Sequence, residues 1–188
     1  MKAEIVETKI VYDGWANYLL AKVRLEDGHI AEREIVQRKA CVSVLPYDEA
    51  RKVALLVRQF RAPVLMEVGE QELLEAIAGM CDSGPADDAA RREACEETGV
   101  KLTKIEPLGA MWTSPGGSTE RMDLFLAPYS RADFASDGGG AEGEHENITV
   151  VEIPLRELSA MADTGRIADM KTFALVQSLR LKRPELFE

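Results

Sequence analysis

The sequence predicts a mixed fold of the α/β or α+β class, because strand patterns fill the first third of the chain and helix patterns come later. Three strand patterns, separated by Asp-Gly turn signals at 13–14 and 27–28, cover residues 4–12, 17–26 and 29–37. The continuous apolar run 53–57 is typical of a central strand that is buried on both faces.

Later segments continue this mixture. Further strands are predicted near 42–45, 72–78, 107–112, 121–128 and 148–153, and helices at 86–98, 154–163 and 169–182. In the first helix, Pro85 suits the first helical position and Gly99 a C-terminal stop. No long linker divides the chain, so we expect a β-hairpin arm, 1–38, followed by one domain, 39–188.

Composition excludes several classes of protein. With 46% hydrophobic residues in 188, the chain can build a core and is not a disordered protein. The net charge of −10, without any run of Lys or Arg, argues against a nucleic-acid partner. A phosphorylated small molecule remains compatible, because bound metal ions can supply the local positive charge that its phosphates need.

Cysteine use and hydropathy favour a cytoplasmic protein. The three cysteines, an odd number without CxxC spacing, indicate neither a disulfide framework nor a zinc site. The N-terminus lacks the apolar region of a signal peptide, and no stretch approaches the ~20 apolar residues that span a bilayer. We therefore expect a soluble protein that does not enter a membrane.

The most informative segment is REACEETGV at 92–100. On a helix, Glu93, Glu96 and Glu97 lie at i, i+3 and i+4 and share one face. Like charges at this spacing repel, whereas a hard divalent cation such as Mg²⁺ takes carboxylate oxygens and removes the conflict. Arg92 can brace Glu96 from four residues away. For an isolated pattern of this kind, a solvated acidic face would be the commoner explanation.

The residues around this helix resemble the Nudix box. The segment AGMCDSGP at 78–85, followed by REACEETGV, reproduces its order of a glycine, a loop, a helix with REx(x)EE and a closing glycine. The loop from Gly79 to Glu93 is one residue shorter than usual. The loop glutamate of the box is also missing, with Gly84 and Pro85 near its place. That glutamate usually supports the site, so its loss concerns efficiency more than identity.

Other segments resemble the nucleotide-sugar branch of the Nudix family. RQFR at 58–61 is similar to the ADP-ribose and nucleotide-sugar pyrophosphatases. Four further segments resemble the bacterial GDP-mannose pyrophosphatases: TSPGGSTE at 113–120, GGG at 138–140, EHENI at 144–148 and TGRIADMKT at 164–172. The similarity runs from about residue 5 to 182, which is nearly the whole chain.

This resemblance implies a fold, an assembly and a reaction. The fold is an α/β/α sandwich around a mixed sheet, and the assembly is a homodimer whose N-terminal strands reach over the partner. The reaction is hydrolysis of a nucleoside diphosphate sugar, GDP-mannose being favoured, to a nucleoside monophosphate and a sugar 1-phosphate. The cofactor is Mg²⁺, with Mn²⁺ as the alternative.

The resemblance also assigns roles around the acidic helix. Glu93 and Glu97 are the first candidates for metal ligands, Glu96 is the next catalytic candidate, and the Ala78 carbonyl is a backbone ligand. In the loop after the three glycines, one of Glu144 and Glu146 is implied to activate water while the other binds metal.

For this loop we favour Glu144 as the base and Glu146 as the ligand, with the two roles exchangeable. An acidic, solvated loop without a catalytic role is the competing interpretation.

Substrate contacts are expected from residues elsewhere in the chain. Arg58 and Arg61 offer guanidinium forks for phosphate, but their spacing turns them different ways along a strand, so we expect one to bind and the other to be a surface or ion-pair residue. Lys171 is a second phosphate candidate, with a surface lysine as the alternative. Ser114 and Gly116 are included as substrate-binding residues through the resemblance.

Two other functions remain open at this point. An ADP-ribose pyrophosphatase would share the RQFR segment, whereas the short box loop and SPGG favour the nucleotide-sugar branch. A degenerate Nudix domain that senses a nucleotide without cleaving it is supported only by the missing loop glutamate, and the retained Glu93, Glu96 and Glu97 speak against it.

Overall fold

The computed structural model describes residues 2–81, 84–140 and 147–188. These form two compact units. One contains Met1–Ala40 and Met111–Met122, and the other contains Cys41–Ala110 and Asp123–Glu188. Within the described ranges, no helix is both long enough and apolar enough to cross a lipid bilayer.

The first unit is built on a three-stranded antiparallel sheet. Its strands, in spatial order, are β1 (Glu4–Asp13), β2 (Asn17–Arg24) and β3 (Ile30–Gln37). Gly28 adopts a left-handed φ of 85° in the turn between β2 and β3, a conformation in which a side chain would be strained. The three strands lie where the turn signals predicted them.

The loop that contains SPGG belongs to the same unit. The Val36 N–H donates to the Gly117 carbonyl at 2.8 Å, and the Thr119 N–H donates to the Val36 carbonyl at 3.0 Å. The unit therefore contains a segment from the middle of the chain in addition to the arm that the sequence predicts.

Among the described residues, the second unit contains four α-helices and a seven-stranded mixed sheet, apart from the two strand ends that fall within 111–122. Its strands are β4 (Cys41–Asp48), β5 (Val53–Gln59), β6 (Leu73–Glu75), β7 (Ile77–Met80), β8 (Glu106–Trp112), β9 (Arg121–Pro128) and β10 (Thr149–Pro154). Its helices are α1 (Ala62–Val68), α2 (Ala86–Thr98), α3 (Leu155–Asp163) and α4 (Met170–Lys182). The spatial order is β10-β5-β4-β9-β8, with β6 paired to β5 and β7 to β4.

Alternation along the central strands builds two apolar layers. Helix α2 packs on β4, β5 and β7, where Val44 and Leu55 belong to its hydrophobic cluster. Leu45 and Leu56, the next residues along, are equally buried but point to the opposite face, and α4 packs against β4. Each such fully buried side chain contributes about 1.5–3 kcal/mol. The predicted α/β/α layering of the fold is confirmed.

The predicted strand at 72–78 is divided into β6 and β7, because the Ala76 N–H donates to Thr172 Oγ1 at 2.6 Å instead of to a neighbouring strand. Pro85 is the residue before the first helical turn of α2, not its first residue. Helix α1 was not predicted, since its seven residues contain no buried position and show no apolar periodicity. It ends at Gly69, which has a left-handed φ of 75°.

An ion network closes the turn between β4 and β5. Arg51 donates from Nε to Asp48 at 2.6 Å and through both Nη atoms to Glu152 at 2.6 Å, while Tyr129 donates to Glu152 at 2.7 Å. Burial alone would raise the pKa of Asp48, but the hydrogen bonds and charge of Arg51 outweigh burial and lower it. Hydrogen bonds from Arg51 also lower the pKa of Glu152.

We expect Arg51→Met to lower the free energy of unfolding by about 2–3 kcal/mol at neutral pH, because it leaves two carboxylates without their cation. Both carboxylates have folded-state pKa values below their unfolded values, so this stabilisation is complete above the unfolded pKa of about 4 and is lost as pH falls further. Urea denaturation of both proteins across acidic and neutral pH measures the difference. Arg180→Met, which removes an exposed pair with Asp163, is the control and should cost less than about 1 kcal/mol. A constant difference at all pH values would contradict the assignment.

Candidate active site

Helix α2 contains the acidic residues, and its C-terminus is capped by a glycine. Gly99 has a left-handed φ of 74°, and its N–H donates to the Cys95 carbonyl at 2.9 Å. The glycine-rich stretch then covers the last turn, because the N–H groups of Gly139 and Gly140 donate to the carbonyls of Glu97 and Glu96 at 2.8 and 3.1 Å. Helix carbonyls that would lack a partner are thereby satisfied.

Gly138 has to be a glycine for this contact to form. It has a φ of 70°, and a methyl group placed on it would lie 2.4 Å from the Glu97 carbonyl oxygen. The backbone at 138–140 therefore lies directly against the end of the acidic helix. The predicted catalytic residues Glu144 and Glu146, which follow it in the sequence, lie outside the described residues.

The three helix glutamates differ in their surroundings. Glu97 is only 4% exposed, and one of its carboxylate oxygens accepts a hydrogen bond from the Ala78 N–H at 3.4 Å. The Glu93 carboxyl group lies over Gly79, where an added methyl group would be 1.9–2.3 Å from its atoms. Glu96 is the most exposed of the three side chains. The strand end at 78–79 and the helix thus bring the Ala78 backbone close to Glu93 and Glu97, and their assignment as metal ligands stays a prediction.

Arg92 separates the like charges on this helix. Its Nη2 lies 2.6 Å from Glu93 Oε1 and its Nη1 lies 2.8 Å from Glu96 Oε2, so one guanidinium links two carboxylates. It also donates to the Met80 carbonyl at 3.1 Å. Burial alone would lower the pKa of Arg92, but the charges of Glu93 and Glu96 outweigh burial and raise it. The sequence predicted the bond to Glu96 but not the one to Glu93.

The donors at this position fit a hard divalent cation. Carboxylate and carbonyl oxygens are the ligands that Mg²⁺ prefers, and Gly79 leaves room for the Glu93 carboxylate beside the Ala78 backbone. In the part of the chain that the structure describes, no three His, Cys, Asp or Glu side chains gather as a ready-made metal site. One of the predicted ligands, Glu146, lies outside that part.

Two of the predicted phosphate-binding cations meet on a buried carboxylate. Arg61 donates from Nε and Nη2 to the two oxygens of Glu75 at 2.6 and 3.1 Å, and Lys171 forms an ion pair with the same carboxylate. Arg58 is exposed. Sequence reasoning missed Glu75, although a single acidic residue inside the apolar segment LLEAIAG was a usable signal, because a buried charge requires partners.

The remaining substrate candidates belong to the first unit. Ser114 accepts hydrogen bonds from the N–H groups of Gly117 and Ser118 at 3.1 and 2.8 Å, which makes a tight turn. Gly116 lines a cavity of about 400 Å³ within this unit, together with Trp112 and residues of 33–35 and 115–119. In the same unit, the Arg38 guanidinium lies 3.5 Å above the Trp15 ring.

Comparisons with known proteins agree with these observations. Residues 37–175 match the model of the NUDIX domain. A GDP-mannose pyrophosphatase of Pectobacterium atrosepticum is 38% identical over 179 residues, which cover 93% of this chain and 92% of that protein. Proteins of the same name from Cronobacter sakazakii and Escherichia coli are 34% and 33% identical and are covered over 97% and 94% of their lengths.

A solved structure supports the fold independently of sequence. The crystal structure of an ADP compounds hydrolase aligns with a TM-score of 0.80 over 98% of this chain and 96% of that one, at 17% identity. The predicted fold class and family are therefore confirmed by the domain match, the curated relatives and this structural similarity. The chain belongs to the Nudix family of hydrolases.

Proposed function

We propose that this enzyme hydrolyses the diphosphate of a nucleoside diphosphate sugar, GDP-mannose being the favoured substrate. The products are a nucleoside monophosphate and a sugar 1-phosphate, and the cofactor is a divalent cation, Mg²⁺ before Mn²⁺. The observation that carries the proposal is one unit in which Glu93, Glu97 and the Ala78 backbone lie together and Arg61 and Lys171 meet on Glu75. The near full-length similarity to enzymes named for GDP-mannose supports the choice of substrate.

The proposed reaction adds one water molecule across the P–O–P linkage. The water oxygen forms a new bond to phosphorus, the bond from that phosphorus to the bridging oxygen breaks, and the water proton passes to a carboxylate. Glu93, Glu97 and the Ala78 carbonyl would hold the cation, which when bound neutralises charge on the phosphoryl oxygens. Arg61 and Lys171 would orient the diphosphate. Glu144 is the proposed proton acceptor, with Glu96 as a further candidate.

A substrate panel tests this proposal. GDP-mannose, ADP-ribose and UDP-glucose are compared by kcat/KM under one set of conditions with Mg²⁺, and the products are identified by chromatography. We expect GDP-mannose to be preferred, no turnover with chelator present, and little turnover by Glu97→Gln. A preference for ADP-ribose would select the alternative to which the RQFR segment points. A folded protein that cleaves none of the three would contradict the proposal.

The proposed metal site makes a specific prediction for Gly79. Gly79→Ala should displace the Glu93 carboxylate, because the new methyl group would lie within 2.3 Å of its atoms. We expect the Mg²⁺ concentration that gives the half-maximal rate to rise by about tenfold, since the loss of one oxygen ligand costs about 1.4 kcal/mol or more. Activity is titrated with Mg²⁺, and circular dichroism verifies the fold. An unchanged Mg²⁺ dependence in a folded variant would exclude Glu93 as a ligand.

The two glutamates of the following loop are distinguished by their kinetics. If Glu144 accepts the proton, Glu144→Gln should lower kcat by about 10²–10⁴-fold while KM changes little. If Glu146 binds the cation, Glu146→Gln should instead raise the Mg²⁺ requirement. Steady-state rates at several Mg²⁺ concentrations separate these outcomes. Exchanged results would exchange the two roles, and losses of only a few-fold in both variants would place the base elsewhere.

The proposed assembly is a homodimer formed through the N-terminal strands, and the proposed location is the cytoplasm, where three free cysteines are stable. Strand β1 exposes large apolar side chains, including Ile5 at 60% and Ile10 at 53%. We expect sedimentation to show a dimer that Ile5→Lys with Ile10→Lys weakens, because the substitutions put charge into an apolar interface. Leu181→Lys, at an exposed leucine of the other unit, is the control and should leave the dimer intact. A wild-type monomer with full activity would refute the proposal.

A further inference from the structure

Glu75 lies at the end of β6 and is only 3% exposed. Arg61 binds both of its oxygens through a guanidinium fork, and Lys171 forms an ion pair with Oε2. Lys171 is also 3.1 Å from Asp169, the residue that caps α4. Two cations from separate parts of the sequence are thus held at one point by one carboxylate.

The segment from Glu75 to Ala78 joins this cation pair to the acidic helix. Glu75 binds the cations, Ala76 binds Thr172 at the start of α4, and the Ala78 N–H donates to Glu97. These three attachments lie within four residues of chain. The positions of Arg61 and Lys171 relative to the proposed metal ligands are therefore fixed through a very short piece of backbone.

The charges at this position agree with the geometry. Burial alone would raise the pKa of Glu75, but Arg61 and Lys171 outweigh burial and lower it, so the carboxylate is ionised at neutral pH. Burial alone would lower the pKa of Arg61, but Glu75 outweighs it, and the charge of Glu97 contributes in the same direction. Both carboxylates therefore favour the charged form of the guanidinium.

Part of the Arg61 side chain is exposed to solvent. Its bonds to Glu75 use Nε and Nη2, and its side chain is 40% exposed although Glu75 is not. The guanidinium can therefore keep its fork on Glu75 while Nη1 and the outer edge meet a ligand oxygen.

We propose that Glu75 is a positioning residue that holds Arg61 and Lys171 as a fixed pair, so that together they orient the diphosphate of the substrate beside the helix carboxylates. The inference rests on the proposed function and adds a residue that does not touch substrate itself. A purely structural ion cluster would instead tie β6 to α4 and have no effect on the reaction at constant stability.

The central experiment is steady-state kinetics of Glu75→Gln with GDP-mannose at saturating Mg²⁺. This change removes a negative charge beside two cations, so affinity for an anionic substrate should not fall, whereas orientation should be lost. We expect kcat to drop by about 100-fold, the scale of an ångström-sized misplacement, while KM stays the same or decreases. Glu75→Asp, which keeps the charge on a shorter side chain, should recover part of kcat.

Asp48→Asn is the matched control. Asp48 is also a buried carboxylate paired with an arginine on the same sheet, but it lies at the turn between β4 and β5. We expect it to lower the unfolding temperature while kcat and KM remain unchanged. The proposal would be overturned if Glu75→Gln, like the result expected of this control, lost stability but kept the wild-type kcat. A rise in the KM of Glu75→Gln at constant kcat would overturn it as well.

A binding measurement separates this inference from the choice of substrate. Inorganic pyrophosphate is titrated calorimetrically into the wild type, Arg61→Ala, Lys171→Ala and the double variant, with and without Glu75→Gln. We expect Arg61→Ala and Lys171→Ala each to weaken pyrophosphate binding by about tenfold. The losses of binding free energy in the double variant should differ from the sum of the single losses when Glu75 is present, and should equal that sum in the Glu75→Gln background. If no nucleotide sugar is hydrolysed, the proposed function fails, and this titration still decides the inference. Unaltered affinity in both single variants, or equal additivity in both backgrounds, overturns it.

Discussion

The close approach of α2 to the sheet is the constraint on which the site depends. The buried apolar side chains of this helix are Ala89, Ala90 and Ala94, and their small size lets its backbone lie near β4 and β7. In this packing Glu97 reaches the Ala78 N–H and Glu93 lies over Gly79. A larger residue on the helix face would move both carboxylates away from the strand end, so packing and proposed metal binding share one geometric requirement.

Charge balance is the second principle that organises the second unit. Arg92 links two helix glutamates, and Arg61 shares Glu75 with Lys171. Buried or half-buried carboxylates of this kind would be costly without such partners. A cation that bound Glu93 would compete with Arg92 for its oxygens, while Glu96 and the Met80 carbonyl would still hold the guanidinium. Each of these carboxylates is therefore balanced by a nearby guanidinium or ammonium group.

Two glycines allow the close contacts around the acidic helix. Gly79 makes room for a carboxylate, and Gly138 lets the backbone lie against the last turn of α2. The left-handed φ of Gly138, and the N–H groups of Gly139 and Gly140 that satisfy helix carbonyls, attach the start of the next segment to the end of the acidic helix. Backbone sterics at Gly138 and backbone hydrogen bonds from Gly139 and Gly140 therefore place residues 138–140 against the helix.

The sequence by itself determined the mixture of strands and helices, the helix α2 with its Gly99 stop and the shared face of Glu93, Glu96 and Glu97, because periodicity and capping are local properties of the chain. It also carried the family, since the box residues occur in order. Only the tertiary structure decided that Arg61 and Lys171 share Glu75, that Ala76 divides a predicted strand and that the SPGG loop joins the N-terminal sheet. These contacts join residues from 14 to 96 positions apart. Partners at such separations are selected by the packing of whole elements, on which a local pattern carries no information.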